Sequence, residues 1–170
     1  MEENKINPRL LVRDLMAVGV PTCPLDTPVA DLARGMLEKG WEAVVVLESD
    51  QGHAVGVVSR RDLIEAYAHS ETEGLTVEEV MRDGLPKVPP DIPLTAAAQI
   101  MLDMGVRALY LTHHAGGIEY PAAWLTDTHL LRHMAGGNLD DLGIRAGREL
   151  PLEAFIKRRD EARKMAGYSE

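Results

Sequence analysis

Residues 59–62, Ser-Arg-Arg-Asp, bring a hydroxyl, two guanidinium groups and a carboxylate together in the chain. They follow the apolar run GVV and precede DLIEAYA, a pattern that predicts a buried strand leading into a helix. Arg60 and Arg61 would then lie in the first helical turn, where the helix dipole repels cations. A phosphate at that helix N-terminus would relieve the repulsion, because guanidinium groups and backbone amides both donate hydrogen bonds to it.

Ser59 and Asp62 allow two interpretations. Their spacing is that of a capping box, in which two side chains satisfy the free backbone amides of the first turn. A cap of this kind only stabilises the helix, and serine is a common cap residue. Because a cap does not explain Arg60 and Arg61, the sequence favours an anionic ligand at this corner.

Composition and charge exclude several classes of protein. A chain of 170 residues, 45% hydrophobic and 26% charged, is typical of a soluble globular protein. The net charge of −9 argues against general binding to nucleic acid or to an anionic membrane. The N-terminus, MEENKINPRL, lacks the apolar stretch of a signal peptide, and the apolar runs are too short to span a bilayer. We therefore expect a soluble cytoplasmic protein.

The chain contains an internal repeat. VRDLM (12–16) recurs as VEEVM (77–81), 65 residues later, and PLDTPVADLARGML (24–37) recurs as PPDIPLTAAAQIML (89–102) with the same shift. Further along the shift is 67 residues, so the second copy has an insertion within HHAGGIEYP. A repeated unit of about 60 residues is small for an independent domain, which indicates that the two copies pack together.

Each copy predicts the same order of elements: strand, helix, strand, strand, helix. The first helix begins near Asp26–Pro28 or Asp91–Pro93, since proline suits a first turn. It ends at Gly40 or Gly105, residues suited to a left-handed C-cap. The strands of each copy are separated by a predicted loop, ESDQGH in the first and HHAGGIEY in the second.

On these motifs the repeat resembles a cystathionine-β-synthase (CBS) domain, and the tandem pair resembles a Bateman module. The resemblance covers roughly residues 8–135. The family pattern of glycine, an apolar residue, serine or threonine, and aspartate or asparagine is met by Gly56, Val57, Ser59 and Asp62. It implies an α/β (α+β) fold of two β-α-β-β-α repeats, packed through their sheets with pseudo-two-fold symmetry. We place the repeats at 8–70 and 75–135, followed by an extension at 136–170.

The resemblance also implies a site that binds an adenosine-containing ligand such as AMP, ADP or ATP, with S-adenosylmethionine less favoured. Asp62 would accept from the ribose hydroxyls, Ser59 would hold the ribose or first phosphate, and the arginines would face the phosphates. The other repeat would supply Pro86 and Lys87 near the adenine, and Arg107 near the phosphates. The full predicted set is Val57, Ser59, Arg60, Arg61, Asp62, Pro86, Lys87, Arg107 and Ala108.

A second, equivalent site departs from the family pattern. Ala123 replaces the glycine, Asp127 stands where Arg60 stood, and His129 replaces the ribose-binding aspartate. Glu42 takes the place of Arg107, so carboxylates would repel a phosphate there. We predict that this site is empty or binds an uncharged or cationic adenosine ligand. Its predicted residues are Pro21, Thr22, Leu125, Thr126, Thr128 and His129.

Other residues that could carry chemistry have simpler interpretations. His129 and His133 have the spacing of two metal ligands on one helix face, but no further ligands are fixed near them, so we predict no metal site. Cys23, the only cysteine, is expected to be a buried apolar residue. The sequence shows no nucleophile and base pair, phosphate loop or carboxylate dyad, so we do not expect an enzyme.

The C-terminal extension contains LPLEAFIKRRDEARKMAG, which predicts a helix near Pro151. Its incomplete apolar stripe indicates packing on the protein body or on a dimer mate. The alternatives are a docking helix for a partner protein and a small nucleic-acid patch, and we do not expect nucleic acid to be a partner.

The favoured function is a regulatory module that senses an adenosine ligand and acts on a separate effector protein. The alternative is a structural or dimerisation protein that does not use its pocket. We also expect a homodimer, formed through the helices at 31–40 and 96–105, because both carry many small and flexible apolar side chains.

Overall fold

The computed structural model describes residues 10–48, 52–69 and 71–136. These residues belong to one structural unit that ends at Gly136. The predicted C-terminal helix near Pro151 lies outside the described residues.

Two similar halves follow one another along the chain. The first half contains the following elements: α1 (Val12–Leu15), β1 (Ala17–Val18), β2 (Thr22–Pro24), α2 (Val29–Lys39), β3 (Ala43–Leu47), β4 (Ala54–Ser59) and α3 (Arg60–His69). The second half contains these: α4 (Val77–Val80), β5 (Arg82–Asp83), α5 (Leu94–Met104), β6 (Ala108–Ala115), β7 (Ile118–Thr126) and α6 (Asp127–Ala135). The helix, strand, strand, helix order predicted for each copy is confirmed.

The helix boundaries follow the proline and glycine signals of the sequence. Pro28 and Pro93 are the N-cap residues of α2 and α5. Gly40 and Gly105 close these helices with φ angles of 68° and 64°. A left-handed conformation of this kind favours glycine, so the C-caps fix where each helix stops.

The strands form two sheets, with the orders β2-β3-β4-β5 and β1-β7-β6. The short strand that opens each half is added to the sheet of the other half: β1 pairs with β7, and β5 pairs with β4. The first strand predicted for the second copy is reduced to one bridge, between Lys87 and Tyr110.

The prediction that HHAGGIEY forms a loop is wrong, because most of the segment is β-strand. Strands β6 and β7 pair along its whole length, from Ala108 opposite Thr126 to Ala115 opposite Ile118. Only Gly116 and Gly117 lie between them, with φ angles of 60° and 79°. Two positive φ angles suit a tight two-residue hairpin turn, so the inserted residues lengthen a hairpin.

Three apolar clusters hold the halves together. One lies between the two sheets and includes Val45, Val57, Tyr110 and Trp124. The other two lie between each sheet and its helices, and both contain a residue from the opposite half. Val12 packs into the helix side of the second half and Val77 into that of the first. The two copies of the repeat are therefore interlocked.

Backbone hydrogen bonds also join the start of each half to the other half. Val12 N donates to Ile92 O at 3.0 Å, and Val77 N donates to Thr27 O at 2.9 Å.

Cys23 lies in the core of the first half, as predicted, and its burial raises the pKa of the thiol. No helix within the described ranges is long and apolar enough to cross a membrane.

Candidate functional site

The corner between β4 and α3 is built around the carboxylate of Asp62. Asp62 Oδ2 accepts hydrogen bonds from Ser59 N at 2.8 Å and from Ser59 Oγ at 2.6 Å. Ser59 Oγ in turn accepts from Asp62 N at 3.3 Å. The capping box predicted from the sequence is therefore formed, and it fixes both side chains at the entrance to the helix.

A third residue, Arg82 of β5, completes this corner. Arg82 Nε donates to Asp62 Oδ1 at 2.6 Å, although the Asp62 side chain is only 5% exposed. A buried carboxylate needs such a partner, because an unpaired charge in the interior is strongly unfavourable. Sequence analysis missed Arg82, since the matching position of the first copy is Ala17 and the repeat gave no sign of a charge there.

A cleft opens beside this corner, between the two halves. One part of its wall is apolar, formed by Ala43, Val57, Pro86, Val106, Ala108 and Tyr110. The cleft is also lined by Ser59, Arg61, Asp62, Arg82 and Arg107. The arrangement suits a ligand with a flat apolar portion and an anionic portion.

Most of the predicted site residues meet in this cleft. Val57, Ser59, Arg61, Asp62, Pro86, Arg107 and Ala108 all line it. The cleft encloses about 100 Å³, less than the roughly 300 Å³ of a small-molecule pocket. Long side chains such as Arg82 and Arg107 must therefore move aside to admit a ligand of nucleotide size.

Arg60 and Lys87 were predicted to face the ligand and are placed elsewhere. Arg60 Nε donates to Trp41 O at 2.8 Å, and its Nη2 donates to Met36 O at 3.4 Å, next to the C-terminus of α2. Lys87 forms an ion pair with Glu119 of β7, which lowers the pKa of that carboxyl group. Both cations are therefore engaged by the protein outside the cleft.

Arg107 lines the cleft but is held by acidic residues of the second corner. Its Nε lies 2.5 Å from Asp127 Oδ2, and its Nη1 lies 3.7 Å from a Glu42 oxygen. The hydrogen bond to Asp127 raises the pKa of Arg107. Glu42 also lies 3.8 Å from Arg60 Nη1, so a chain of alternating charges links the two corners.

The second corner repeats the cap of the first with different chemistry. Thr126 Oγ1 accepts from His129 N at 3.3 Å, and His129 Nδ1 accepts from Thr126 N at 3.1 Å. An accepting Nδ1 requires a neutral imidazole, and burial lowers the pKa of His129. His129 thus takes the capping position of Asp62 without its negative charge.

Leu125, predicted for the second site, points away from the surface of this corner. It is fully buried among the helix-side residues of the second half, because alternate strand residues point to opposite faces. Trp124, the preceding residue of β7, lies on the opposite face of the strand and corresponds to Val57 of the first copy. Its ring is in edge contact with the ring of His129, at a centroid distance of 6.3 Å. The shift of 67 residues that carries Val57 onto Trp124 was the signal that could have found it.

The remaining predicted residues of the second corner are spread around it. Pro21 is buried, and its carbonyl accepts from Val45 N at 2.9 Å, whereas Thr22 is exposed. Thr128 is half-buried in the first turn of α6. Within residues 10–48, 52–69 and 71–136, no three histidine, cysteine or acidic side chains form a group that could hold a metal ion.

The comparisons with known proteins identify the family. A family model of the CBS domain matches residues 12–69 and 77–136, which together make up more than half of the chain. The chain belongs to the CBS domain family. The fold is accordingly a tandem pair of CBS repeats. A search of curated proteins gave no significant match.

Solved structures of CBS domain pairs share this fold. The CBS domain pair of protein MJ0100, in complex with 5′-methylthioadenosine and S-adenosylmethionine, has a TM-score of 0.65 and 18% identity, covering 76% of this chain and 98% of that one. CBSX2 in complex with AMP has a TM-score of 0.59 and 26% identity, covering 74% and 96%. A putative acetoin utilization protein from Vibrio cholerae has a TM-score of 0.60 and 21% identity, covering 75% and 91%.

Proposed function

We propose that this CBS pair is a regulatory module that binds an adenine nucleotide in the cleft beside Asp62 and acts on a separate effector protein. The observation that carries the proposal is the composition of the cleft lining, in which Arg61, Arg82 and Arg107 accompany apolar residues. Three guanidinium groups at one cleft of a protein with a net charge of −9 favour an anionic ligand.

The two kinds of lining residue suit the two parts of a nucleotide. Pro86, Val106 and Ala108 offer a surface on which a purine can pack, while Arg61 and Arg107 can donate to phosphates. Asp62 is fixed by Ser59 at the junction, where a carboxylate can accept from two ribose hydroxyls. The complexes of CBS pairs with AMP and with S-adenosylmethionine support an adenosine ligand.

A nucleotide can reach the Asp62 carboxylate only if Arg82 shifts. Arg82 binds Asp62 Oδ1, yet its side chain is 45% exposed and has many rotamers available. Entry of a ribose would release Arg82 toward the phosphates, which would be a second favourable contact.

One observation favours the alternative of a structural CBS pair without a ligand. Both oxygens of Asp62 already accept hydrogen bonds within the protein, from Ser59 and from Arg82. In that case the corner would serve only to cap α3 and to fasten β5 to β4.

Calorimetric titration with AMP, ADP, ATP and S-adenosylmethionine separates the two functions. We expect at least one nucleotide to bind, and Asp62→Asn to weaken it about 10-fold or more, because a charge-assisted hydrogen bond is worth roughly 1.5–3 kcal/mol. His129→Ala, the matched change at the second corner, should leave the affinity nearly unchanged.

Two outcomes would contradict the proposal. No binding of any of the four compounds at millimolar concentration would favour the structural alternative. Loss of binding in His129→Ala with full binding in Asp62→Asn would move the site to the second corner.

A further inference from the structure

Tyr110 of β6 carries a hydroxyl group that the folding of the chain does not explain. The side chain is fully buried, and its oxygen has no hydrogen-bond partner among the described residues. Leaving a buried hydroxyl without a partner is unfavourable, and phenylalanine would fill the same space without that penalty. The described residues therefore leave this hydroxyl free to take a partner from a ligand.

The neighbours of Tyr110 pack against its ring, and none of the described residues forms a hydrogen bond with its hydroxyl. Its ring stacks on Trp124 at a centroid distance of 6.3 Å and an interplanar angle of 19°. The rest of the cluster between the sheets is aliphatic and includes Ala43, Val45 and Val57. The matching residue of the first copy is Val45, so the packing at this level does not itself call for a phenol.

Tyr110 also lines the cleft, on its apolar wall together with Ala43, Val57 and Ala108. Burial raises the pKa of Tyr110, so the phenol stays neutral and can both donate and accept a hydrogen bond. Tyr110 thus adds a neutral hydroxyl to a cleft whose other polar lining residues include Ser59, Asp62 and three arginines.

We infer that the Tyr110 hydroxyl hydrogen-bonds the polar edge of the purine and is a specificity-determining residue of the cleft. The inference rests on the proposed function. A purine has ring nitrogens and exocyclic groups at its edge, whereas a plain aromatic ring or an aliphatic group has none. An otherwise apolar wall with one buried hydroxyl selects a base that carries such atoms over one that does not.

Tyr110→Phe tests the inference by removing a single oxygen atom. We expect the variant to bind the adenine nucleotide about 5- to 10-fold more weakly, which corresponds to the loss of one hydrogen bond. Binding of ribose 5-phosphate, measured by competition, should be unchanged because it lacks the base. Without nucleotide, the thermal midpoint of the variant should rise by about 2–4 °C, since an unpaired buried hydroxyl is removed.

Tyr67→Phe is the matched control, because Tyr67 lies on α3 with 75% of its surface exposed and does not line the cleft. It should change neither affinity nor midpoint. Equal nucleotide affinity in Tyr110→Phe and wild type would overturn the inference and leave the proposed function intact. A lower midpoint would also overturn it, by showing that the hydroxyl has a structural partner. Failure of the wild-type chain to bind any adenine nucleotide would overturn both.

Discussion

Arg60 and Arg61 are adjacent in the chain and have different surroundings. Arg60 turns back over α2, where it donates to the carbonyl groups of Trp41 and Met36. Arg61 lines the cleft. Because the C-terminus of a helix carries partial negative charge, the guanidinium of Arg60 near the end of α2 is electrostatically favourable. Only Arg61 therefore remains as a cation exposed to the unfavourable dipole at the N-terminus of α3.

We predict opposite effects for the two arginine-to-alanine changes. Arg60→Ala should lower the free energy of unfolding by about 1 kcal/mol, because it removes the hydrogen bond from Arg60 Nε to Trp41 O. Its nucleotide affinity should remain near that of wild type. Arg61→Ala should leave stability unchanged and weaken ATP more than adenosine, with an effect that shrinks as salt is added.

Urea unfolding and calorimetric titration of both variants check this division. The assignment would fail if Arg60→Ala lost affinity for ATP while keeping its stability, or if the two variants behaved alike.

His129 makes the stability of the protein depend on pH in a defined direction. Burial lowers the pKa of its imidazole, the nearby charge of Arg132 lowers it further, and Asp127 raises it. The unfolded chain therefore binds this proton at about pH 6.5, where the folded chain does not. Below about pH 6.5, protonation of His129 favours the unfolded state. The free energy of unfolding that depends on neutral His129 is therefore present above this pH and is lost progressively as the pH falls below it.

Urea unfolding at pH 7.5 and 5.5 measures this effect. Wild type should lose more free energy of unfolding between the two values than His129→Gln, in which the amide oxygen can still accept from Thr126 N but does not titrate. His69→Gln, at the exposed end of α3, should behave as wild type. Equal losses in wild type and His129→Gln would refute the role of His129.

At the scale of elements, strand β5 lies unusually close to β4. A Cβ atom at Gly56 would stand 2.6 Å from Arg82 O and 2.8 Å from Met81 Sδ. Both distances are too short for real atoms, and the carbonyl oxygen belongs to the backbone of β5. The close approach allows Arg82 to reach Asp62, so a glycine in one strand positions a guanidinium in the next.

Gly56→Ala should therefore destabilise the protein by about 1–3 kcal/mol, the range for overpacking a tight site. It should also weaken nucleotide binding, because moving β5 away from β4 displaces Arg82. Gly35→Ala is the control: a Cβ there meets only Trp41 Cζ3, at 3.8 Å, and alanine suits a helix better than glycine by about 0.5–1 kcal/mol. A stable Gly56→Ala with an unchanged thermal midpoint would contradict the close approach.

The elements could be predicted from the sequence wherever a local signal marks them. Pro28, Gly40 and their counterparts in the second copy set the ends of α2 and α5, and Ser59 with Asp62 marked the start of α3. The pairing of β5 with β4 could not be predicted, since it depends on contacts between segments far apart in the chain. The same holds for Arg82, whose partner Asp62 lies 20 residues away.

At the scale of the whole molecule, the long helices leave apolar side chains exposed. Leu37 and Leu102, matching residues of the two copies on α2 and α5, are each 76% exposed. Ile64 and Tyr67 of α3 and Leu131 of α6 are also more than half exposed. On the helices expected to form the dimer surface, other apolar residues, Leu32, Met36, Ala97 and Met101, lie in the cores of their own halves.

We predict a homodimer that buries these helix faces. Light scattering at tens of micromolar should give a dimer for wild type and a monomer for the double variant Leu37→Glu, Leu102→Glu, because two charges per chain would have to be desolvated in the interface. The thermal midpoint of the monomer should stay above the temperature of the measurement, since neither leucine lies in a core.

Val18→Glu is the control for this experiment. Val18 is 83% exposed but lies on β1 rather than on a helix, so the variant should remain dimeric. A wild-type chain that is monomeric at these concentrations would refute the prediction.

The alternating charges from Arg60 through Glu42 and Arg107 to Asp127 have a consequence for how many ligands one chain can hold. The acidic residues of the second corner neutralise cations that lie near the first, and these cations neutralise them in turn. A phosphate that recruits Arg107 leaves Asp127 and Glu42 with less positive charge beside them, and the vacated corner becomes more repulsive to a second anion. If the cleft binds a nucleotide as proposed, we therefore expect occupancy of one corner to disfavour the other, and a chain to saturate at one nucleotide although it contains two copies of the repeat.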